Sequence, residues 1–399
     1  MTTIKDDFNN TPHATTSGKY VITSTAGETV QAFIPHPLPP HPPIQLDPRV
    51  YDLMERANRA LGRLDGVSSL LPDPSLFIYF YIRKEALLSS QIEGTQSSLS
   101  DLLLFESEEA PGVPLEDVQE VSNYVAAMSY GLKRIREDGF PLSLHLLKEI
   151  HEILLHKGRG SHRQPGEFRL SQNWIGGARP GNARFVPPPP DSVLPCMANL
   201  EVFLHNAPEP TPALIKAALA HVQFETIHPF VDGNGRIGRL LITLTLCAEE
   251  ALQEPLLYLS LYFKRNRDEY YERLQRVRTH SEWILWLQFF LEGIRETAQQ
   301  AAFTAREILS LFEEDRMRIE KLGRRAGSAQ RVHTLLQKYP LVTIPKAAHQ
   351  LGISQPTITT VLQVLTQLGI VREITGKQRD RVYVYDPYLK IIERGTEPL

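Results

Sequence analysis

Residues 228–239, which read His-Pro-Phe-Val-Asp-Gly-Asn-Gly-Arg-Ile-Gly-Arg, carry side chains suited to handling a nucleotide triphosphate. The Gly-Asn-Gly stretch at 233–235 is flexible enough to turn successive backbone N–H groups toward phosphate oxygens, as at an anion-binding helix start. The residues that follow favour a helix, on which Arg236 and Arg239 are three positions apart and share one face. The segment therefore predicts a phosphate-binding loop followed by a helix with two cationic side chains.

Two further side chains in the same segment could take part in chemistry. His228 stands before the loop, where its imidazole could accept the proton of an incoming hydroxyl. Asp232 offers carboxylate oxygens, the ligand type that Mg2+ prefers. Together with the phosphate loop, these residues indicate transfer of part of a nucleotide to a hydroxyl.

Residues 233–238 also match the G-x-G-x-x-G pattern of dinucleotide-binding folds. That fold requires a buried strand immediately before the glycines and an acidic residue about 20 positions beyond them. Glu249, Glu250 and Glu254 stand near that distance, so the acidic residue does not exclude the pattern. Residues 213–227, however, have apolar side chains at helical spacing, and we therefore disfavour the dinucleotide-binding interpretation.

Residues 228–239 resemble the signature of the Fic (Fido) family, H-x-F-x-[DE]-G-N-G-R-x-x-R, at every specified position. Members of that family mostly transfer AMP from ATP to a Ser, Thr or Tyr hydroxyl of a target protein. The resemblance implies that His228 is the general base, that Asp232 binds Mg2+ and that Phe230 anchors the loop in the core. It implies nucleotide contacts for the residues that follow: Gly233, Asn234, Gly235, Arg236, Ile237, Gly238 and Arg239.

A second motif lies upstream and resembles the inhibitory motif of the same family, [ST]-x-x-x-E-[GN]. Ser89 and Glu93 are four positions apart on one helix face, and Gly94 is a plausible helix end. A bidentate contact between Glu93 and Arg239 would occupy the arginine that the γ-phosphate needs. The resemblance places the chain in the subgroup with an N-terminal inhibitory helix, although Glu93 could instead be a solvated helix carboxylate.

Residues 173–187 contain two short apolar runs around a Gly/Pro/Asn centre, a pattern typical of a β-hairpin. In the family such a hairpin is the flap that pairs with an extended segment of the target protein, and main-chain pairing tolerates varied target sequences. An ordinary surface hairpin is the alternative. Residues 259–271 resemble the segment that lines the family's adenine pocket, which predicts base contacts for Asn266 and Tyr270.

The C-terminal part of the chain has the pattern of a separate unit. Helices are predicted at 329–337, 344–351 and 355–368, followed by β-rich runs at 371–375 and 381–385. This order is typical of a helix-turn-helix with a wing, and Lys377, Arg379 and Arg381 could reach DNA phosphates. The predicted recognition helix carries neither Lys nor Arg, so DNA binding and a protein-docking or dimerising role both remain open.

The fold class that follows is mainly α: a Fic helical bundle with a small β-hairpin flap, an N-terminal helical region and a C-terminal winged helix. The predicted boundaries are a flexible, proline-rich arm at 1–47, an N-terminal helical region with the inhibitory helix at 48–116, the catalytic domain at 117–300, a connecting helix at 301–327 and the winged helix-turn-helix at 328–399.

Composition agrees with this organisation. The chain has 399 residues, 42% of them hydrophobic, which is enough for two or three domains. Its formal net charge of -3 gives no overall attraction to nucleic acid or to an anionic membrane. Cys196 and Cys247 form no disulfide framework, and the first residues lack the apolar core of a secretory signal, so we expect a cytoplasmic protein without a membrane span.

Four histidines, at 145, 151, 156 and 162, precede the flap. Their spacing matches no recognisable zinc pattern. We interpret them as surface or packing residues.

Two classes of function compete at this point. In the first, the chain is an autoinhibited enzyme that uses ATP and Mg2+ to adenylylate target proteins, itself included. In the second, it is a DNA-binding regulator whose Fic body only senses nucleotide, and an enzyme variant that removes AMP from a target is a further alternative. A second copy of the chain could also be a partner. The intact base at His228 favours the enzyme.

Overall fold

The computed structural model describes residues 16–68, 74–106, 115–158, 160–376 and 381–398. Within them the chain is predominantly helical, as the fold class predicts. The helices are α1 (Pro48–Ser68), α2 (Pro74–Ile92), α3 (Leu99–Glu106), α4 (Leu115–Arg136), α5 (Leu144–Leu154), α6 (Pro190–Leu204), α7 (Ala213–Ile227), α8 (Asn234–Ala248), α9 (Ser260–Arg265), α10 (Arg267–His280), α11 (Trp283–Glu320), α12 (Ala326–Lys338), α13 (Ile344–Leu351), α14 (Gln355–Gln367) and α15 (Asp386–Glu393). The strands are β1 (Gly18–Thr25), β2 (Glu28–Pro35), β3 (Leu341–Thr343), β4 (Arg372–Glu373) and β5 (Val382–Val384).

The centre of the molecule is the pair α7 and α8. Every residue of α7 from Leu214 to Ile227 is buried, which is the pattern of a helix enclosed on all sides. Helix α8 packs along α7 and is buried over most of its length, with α4, α5 and α2 against its other faces. Helices α6, α10 and α11 pack against α7. The loop that joins α7 to α8 therefore starts and ends on rigid, buried elements.

The prediction of a flexible arm at residues 1–47 is wrong for residues 18–35. Strands β1 and β2 pair as an antiparallel hairpin, with Gly18 opposite Pro35 and Thr25 opposite Glu28. The two residues that join them, Ala26 and Gly27, both have positive φ angles (49° and 79°), as a two-residue hairpin turn of the favoured twist requires. Residues 1–15 lie outside the described residues.

The predicted boundary at residue 300 also differs from the structure. Helix α11 continues without interruption for 38 residues, so the predicted connecting helix at 301–327 is mostly the second half of α11. An apolar face follows the whole helix, and residues on both sides of position 300 are buried, such as Ile294, Ala298, Ala301 and Ile308. Continuous burial explains why neither a cap nor a break occurs at the predicted boundary.

The C-terminal part follows the predicted order of helices and strands. Helices α12, α13 and α14 occupy the three predicted positions, and β3, β5 and β4 form a three-stranded antiparallel sheet in that spatial order. The Thr343 hydroxyl accepts a hydrogen bond from the Lys346 backbone N–H and caps α13, which ends at the left-handed Gly352. Lys377 and Arg379 lie outside the described residues. Helix α15, which the sequence analysis did not predict, follows β5.

Over the described ranges, no helix combines the length and the apolar character that crossing a bilayer demands.

Candidate functional site

The loop between α7 and α8 has left-handed backbone at both ends. His228, at the end of α7, is left-handed with φ 49° and ψ 60°. Gly233, which precedes the first residue of α8, is left-handed with φ 78°. A side chain at Gly233 would be strained, so glycine suits this position. Because a helix rather than a strand comes before the glycines, the dinucleotide-binding alternative is excluded.

Asn234 braces this loop from inside. Its side-chain oxygen accepts a hydrogen bond from the Phe230 backbone N–H at 2.9 Å, and its amide nitrogen donates to the Phe230 carbonyl oxygen at 2.9 Å. The Asn234 side chain is therefore committed to the loop, and its backbone N–H is the group that remains for a phosphate. Phe230 is fully buried, in keeping with the predicted core anchor.

His151 of α5 packs against the loop and fixes its position. Its ring stacks on Phe230 with centroids 3.7 Å apart and planes 6° apart. The backbone N–H of Gly166 donates to Nδ1 at 2.9 Å, so Nε2 carries the hydrogen and donates to the Asp232 carbonyl oxygen at 3.0 Å. Burial lowers the pKa of His151 to about 4, which keeps the ring neutral. The surface alternative for this histidine is wrong, because His151 is a buried brace of the loop.

Arg169 fixes the backbone of His228. Its Nε donates to the His228 carbonyl oxygen at 2.9 Å, and its Nη2 donates to the carbonyl oxygens of Pro188 (2.6 Å) and Ile227 (3.3 Å). The Arg169 backbone N–H donates to the Pro229 carbonyl oxygen at 2.9 Å. These bonds satisfy the end of α7 and stabilise its left-handed residue, which orients the imidazole.

The His228 imidazole is neutral at physiological pH. Burial, together with the nearby guanidinium groups of Arg278 and Arg169, lowers the pKa of His228 to about 3. Its Nδ1 lies 4.0 Å from Oε2 of Glu225, one turn earlier on α7. A neutral ring can accept a proton, which is the role predicted for this residue.

The two distant motifs meet in the structure. Arg239 Nη2 lies 2.7 Å from Oε1 of Glu93, across a sequence separation of 146 residues. Arg239 also donates to Ser89, from Nε to Oγ at 2.8 Å and from Nη2 to the carbonyl oxygen at 3.0 Å. Glu93 therefore makes one contact with Arg239, through Nη2, and not the predicted bidentate pair, while Ser89 accepts from Nε and shares Nη2 with Glu93. Gly94, with φ 102°, follows the end of α2 as predicted.

Glu93 is charged in this arrangement. Burial alone would raise the pKa of Glu93, but the charge and hydrogen bond of Arg239 outweigh it and lower the pKa below its ordinary value. A Cβ atom added to Gly235 would clash with the Glu93 carboxylate, so this carboxylate lies directly against the Gly-Asn-Gly loop. The negative charge occupies the space predicted for a phosphate.

Arg236 pairs with a residue that the sequence analysis did not single out. Its Nη1 lies 2.5 Å from Oε1 of Glu120 on α4, and both side chains are buried. Its Nη2 lies 3.7 Å from Oδ1 of Asp232. Glu120 thus positions the first arginine of the motif between two carboxylates.

Replacing Glu120 with Gln should lower the free energy of unfolding by about 3 kcal/mol, because a buried guanidinium would lose its main counter-charge. Chemical denaturation of the full chain measures this effect. Glu116→Gln, an exposed position on the same helix, is the matched control and should unfold like the parent. Equal stability of the two variants would show that Arg236 does not depend on Glu120.

Two cavities meet at Glu93. The smaller, about 150 Å³, lies over the phosphate loop and is lined by Glu93, Glu120, His228, Val231, Asp232, Gly233, Asn234, Gly235 and Arg236. The larger, about 510 Å³, is bounded by the flap on one side and by α10 on the other. Glu93, His228 and Gly235 line both, so the two cavities form one continuous site divided by the Glu93 carboxylate.

The residues predicted to contact the nucleotide lie at different distances from the larger cavity. Tyr270 lines it, with its hydroxyl 2.8 Å from Nε2 of His221. Asn266 is not among the lining residues, and its side-chain amide donates to the Tyr262 carbonyl oxygen at 3.0 Å within the same helical segment. Ile237 is fully buried in the core, and Gly238 packs against Glu225.

The predicted flap at 173–187 has a shorter hairpin than expected. Ile175 and Phe185 exchange two backbone hydrogen bonds of 2.8 and 3.1 Å, and a 3-10 turn at Pro180–Asn182 lies between them. The hairpin β1–β2 supports the flap, since the Phe33 backbone N–H donates to the Val186 carbonyl oxygen at 2.9 Å. Trp174, Ile175 and Phe185 line the larger cavity.

The oxygen ligands at the smaller cavity fit a magnesium ion that is bound partly by the protein and partly by the phosphates of a nucleotide. Asp232 Oδ1 accepts the Gly233 backbone N–H at 2.6 Å, which orients the half-exposed carboxylate. Among the described residues, no group of three or more His, Cys, Asp or Glu side chains is arranged to enclose a metal. Mg2+ is commonly held by one or two carboxylates plus substrate phosphates, so one carboxylate beside a phosphate loop is sufficient.

Two parts of the chain match known protein-family models, and several curated proteins are similar to it. Residues 51–133 match the family model described as Fic/DOC family N-terminal, and residues 141–246 match the model described as Fic/DOC family. "Protein adenylyltransferase Fic" of Aedes aegypti is 29% identical over 234 residues, which are 58% of this chain and 43% of that protein. The protein of the same name from Drosophila yakuba is 30% identical over 165 residues, 41% of this chain and 30% of that protein. The chain thus matches less than half of the length of these curated relatives.

One solved structure supports the fold. A Fic family protein from Desulfovibrio desulfuricans G20 superposes with a TM-score of 0.58 and 21% identity, covering 86% of this chain and 97% of that one. At this identity the likeness concerns the arrangement of the helices alone.

Proposed function

Because the chain belongs to the Fic/DOC family, we propose that it is a protein adenylyltransferase, which transfers AMP from ATP to a hydroxyl of a target protein. The observation that carries the proposal is the convergence of the neutral His228 imidazole, the Gly-Asn-Gly loop and the Arg239 guanidinium on one continuous cavity. An anion-binding helix start beside a base is the equipment that nucleotidyl transfer requires.

The reaction follows from this arrangement. The backbone N–H groups of Asn234 and Gly235 and the first turn of α8 receive the phosphates, and the positive end of the helix dipole favours their charge. The target hydroxyl gives its proton to His228 while its oxygen attacks the α-phosphorus of ATP. The bond between the α-phosphorus and the bridging oxygen breaks, and pyrophosphate leaves with its charge countered by Arg236 and Arg239. The products are the AMP ester of the target and pyrophosphate.

Asp232 is the residue that would hold Mg2+. The ion, when bound, would neutralise phosphate charge and stabilise the leaving pyrophosphate. His151 and the Gly233 backbone N–H keep Asp232 in place, through its carbonyl oxygen and its carboxylate respectively.

The flap offers a surface for the target. Its strand segments carry Ile175 and Phe185 at the mouth of the larger cavity, where an extended target segment could add backbone hydrogen bonds. Because the β1–β2 hairpin hydrogen-bonds to the flap, the flap is held in place, and less conformational entropy is lost when a target binds. We propose that the target binds along residues 173–187.

Glu93 would act as an inhibitor within this site. Its carboxylate lies against Gly235 and engages Arg239, so a triphosphate would have to displace a negative charge from its own binding site. The Glu93 carboxylate and a phosphate in the same cavity would repel each other, and the γ-phosphate would lose the arginine that orients it. We therefore propose that the resting protein binds ATP in a poorly aligned form.

Labelled ATP distinguishes AMP transfer from other reactions. A Glu93→Gly protein incubated with Mg2+ and ATP labelled at the α-phosphate should become covalently labelled, whereas ATP labelled at the γ-phosphate should leave no label. Gel autoradiography after denaturation measures both. Label from the γ-position would identify a phosphate transfer, and no label from either position would contradict the proposed function.

A further inference from the structure

The segment 392–397, which begins at the end of α15, lies against α2, the helix that carries Ser89 and ends one residue before Glu93. Lys84 of α2 donates from Nζ to the carbonyl oxygens of Ile392 at 2.9 Å and Arg394 at 2.8 Å. The Lys84 side chain is buried, with 2% of its surface exposed. A buried ammonium group depends on such acceptors, because it would otherwise lose its hydration without compensation.

A second set of contacts lies about two turns further along α2. Gln91 donates from Nε2 to the Thr396 carbonyl oxygen at 2.8 Å and to the Ser97 carbonyl oxygen at 3.0 Å. Its Oε1 accepts from Lys264 Nζ at 2.7 Å, and the same ammonium group donates to the Glu397 carbonyl oxygen. Thr396 is buried, so the segment is packed into the protein along this face.

These contacts and the inhibitory contacts use different faces of one helix. Lys84 and Gln91 are seven positions apart and therefore lie on one side of α2. Ser89 and Glu93 are four positions apart on the side that faces Arg239. Helix α2 is thus held between the phosphate loop and the 392–397 segment.

The segment is also tied to the rest of the C-terminal part. Tyr388 of α15 packs edge-to-face on Phe80 of α2, with centroids 5.3 Å apart. Tyr385, at the start of α15, donates from its hydroxyl to Asp315 of α11 at 2.7 Å. Helix α15 follows β5 directly, so a displacement of the C-terminal sheet would act on the contacts with α2.

We propose that residues 392–397 form a latch that holds α2, and with it Glu93, in the inhibitory position. The inference rests on the proposed function and deepens it, since it assigns the control of the site to the C-terminal part of the chain. Release of the latch frees α2 to move away from α8, and Arg239 then becomes available to the triphosphate. The C-terminal part is therefore the element through which inhibition is relieved.

Two kinds of variant remove the latch. One lacks residues 394–399, and the other is Lys84→Met, which keeps the length of the side chain but not its donors. Both should incorporate label from α-labelled ATP at least roughly tenfold faster than the parent chain, because each loses two hydrogen bonds between α2 and the segment, and a single bond to a charged group already shifts an equilibrium by about tenfold. Lys390→Met, an exposed lysine of α15 paired with Asp386, is the matched control and should label like the parent. In a Glu93→Gly background neither change should increase the rate further.

Hydrogen exchange tests the latch without any catalysis. The backbone amides of residues 85–93 should exchange about tenfold faster in both latch variants and unchanged in Lys390→Met, because local opening becomes easier. Unaltered exchange and labelling in the latch variants, alongside strong labelling by Glu93→Gly, would overturn the latch. If Glu93→Gly itself takes up no label, the proposed AMP transfer fails, and the exchange of residues 85–93 still decides whether the latch exists.

Discussion

A His228→Asn substitution in the Glu93→Gly background should reduce incorporation of AMP by about 10²–10⁴-fold, the range that removal of a general base typically costs. The imidazole is neutral and partly buried, and the bonds that Arg169 makes to its backbone fix its position. Its low pKa in the free protein does not oppose the role, because a bound triphosphate brings negative charge that favours the imidazolium. Initial rates with α-labelled ATP at saturating concentration measure the change.

Asparagine is the informative replacement because position 228 is left-handed. Asn adopts this conformation more readily than Ala does, so the backbone of the loop should survive the change. His145→Ala, at an exposed histidine, is the control and should leave the rate unchanged. A His228→Asn protein that retains more than roughly a tenth of the parent rate would contradict the assignment of the base.

The Glu93→Gly substitution should raise AMP incorporation by roughly 10- to 100-fold over the parent chain. The change removes a carboxylate that engages Arg239 by a charge-assisted hydrogen bond, and such a bond shifts an equilibrium by about this factor. It also clears the space beside Gly235, where the carboxylate now lies. Self-labelling and the affinity for ATP should both increase.

Two further substitutions at this position separate charge from backbone freedom. Glu93→Ala removes the carboxylate without the added flexibility of glycine, so it should label as strongly as Glu93→Gly. Glu93→Gln keeps a hydrogen-bonding group but loses the negative charge, and its rate should fall between those of the parent and Glu93→Ala. Equal rates for the parent and Glu93→Ala would show that Glu93 does not inhibit.

Much of the site could be predicted because its chemistry lies in one contiguous segment. Residues 228–239 hold the base, the phosphate loop and both arginines, and their local spacing dictates a loop followed by a helix start. The meeting of Glu93 with Arg239 came from the resemblance to a family. No local pattern relates two residues that stand 146 positions apart, since their distance is set by the packing of α2 on α8.

The supporting residues could not be predicted for the same physical reason. His151, Arg169 and Glu120 belong to three other parts of the chain. Each stabilises the 228–239 segment through buried hydrogen bonds or an ion pair. A buried histidine or glutamate on an amphipathic helix has the same sequence pattern as an exposed one. The nearest signal for His151 was its position on the apolar face of α5, with Leu147 and Leu154 as neighbours.

The errors in the fold have a common origin in weak local signals. Strands β1 and β2 are rich in Thr, Val and Ile, but the Ala-Gly turn between them is a weaker hairpin signal than Asn-Gly. Position 300 lies among Ala and Gln residues that favour a helix, and nothing in the sequence marks either a stop or a continuation there.

The uninterrupted course of α11 has a practical consequence for dividing this protein. Helix α1 packs along α11, and Tyr81 of α2 donates to the Ala301 carbonyl oxygen at 2.7 Å. A fragment ending at residue 300 would leave a severed helix and a bare apolar stripe on the remaining piece, with a tendency to aggregate. The two halves are best purified and crystallised as one polypeptide.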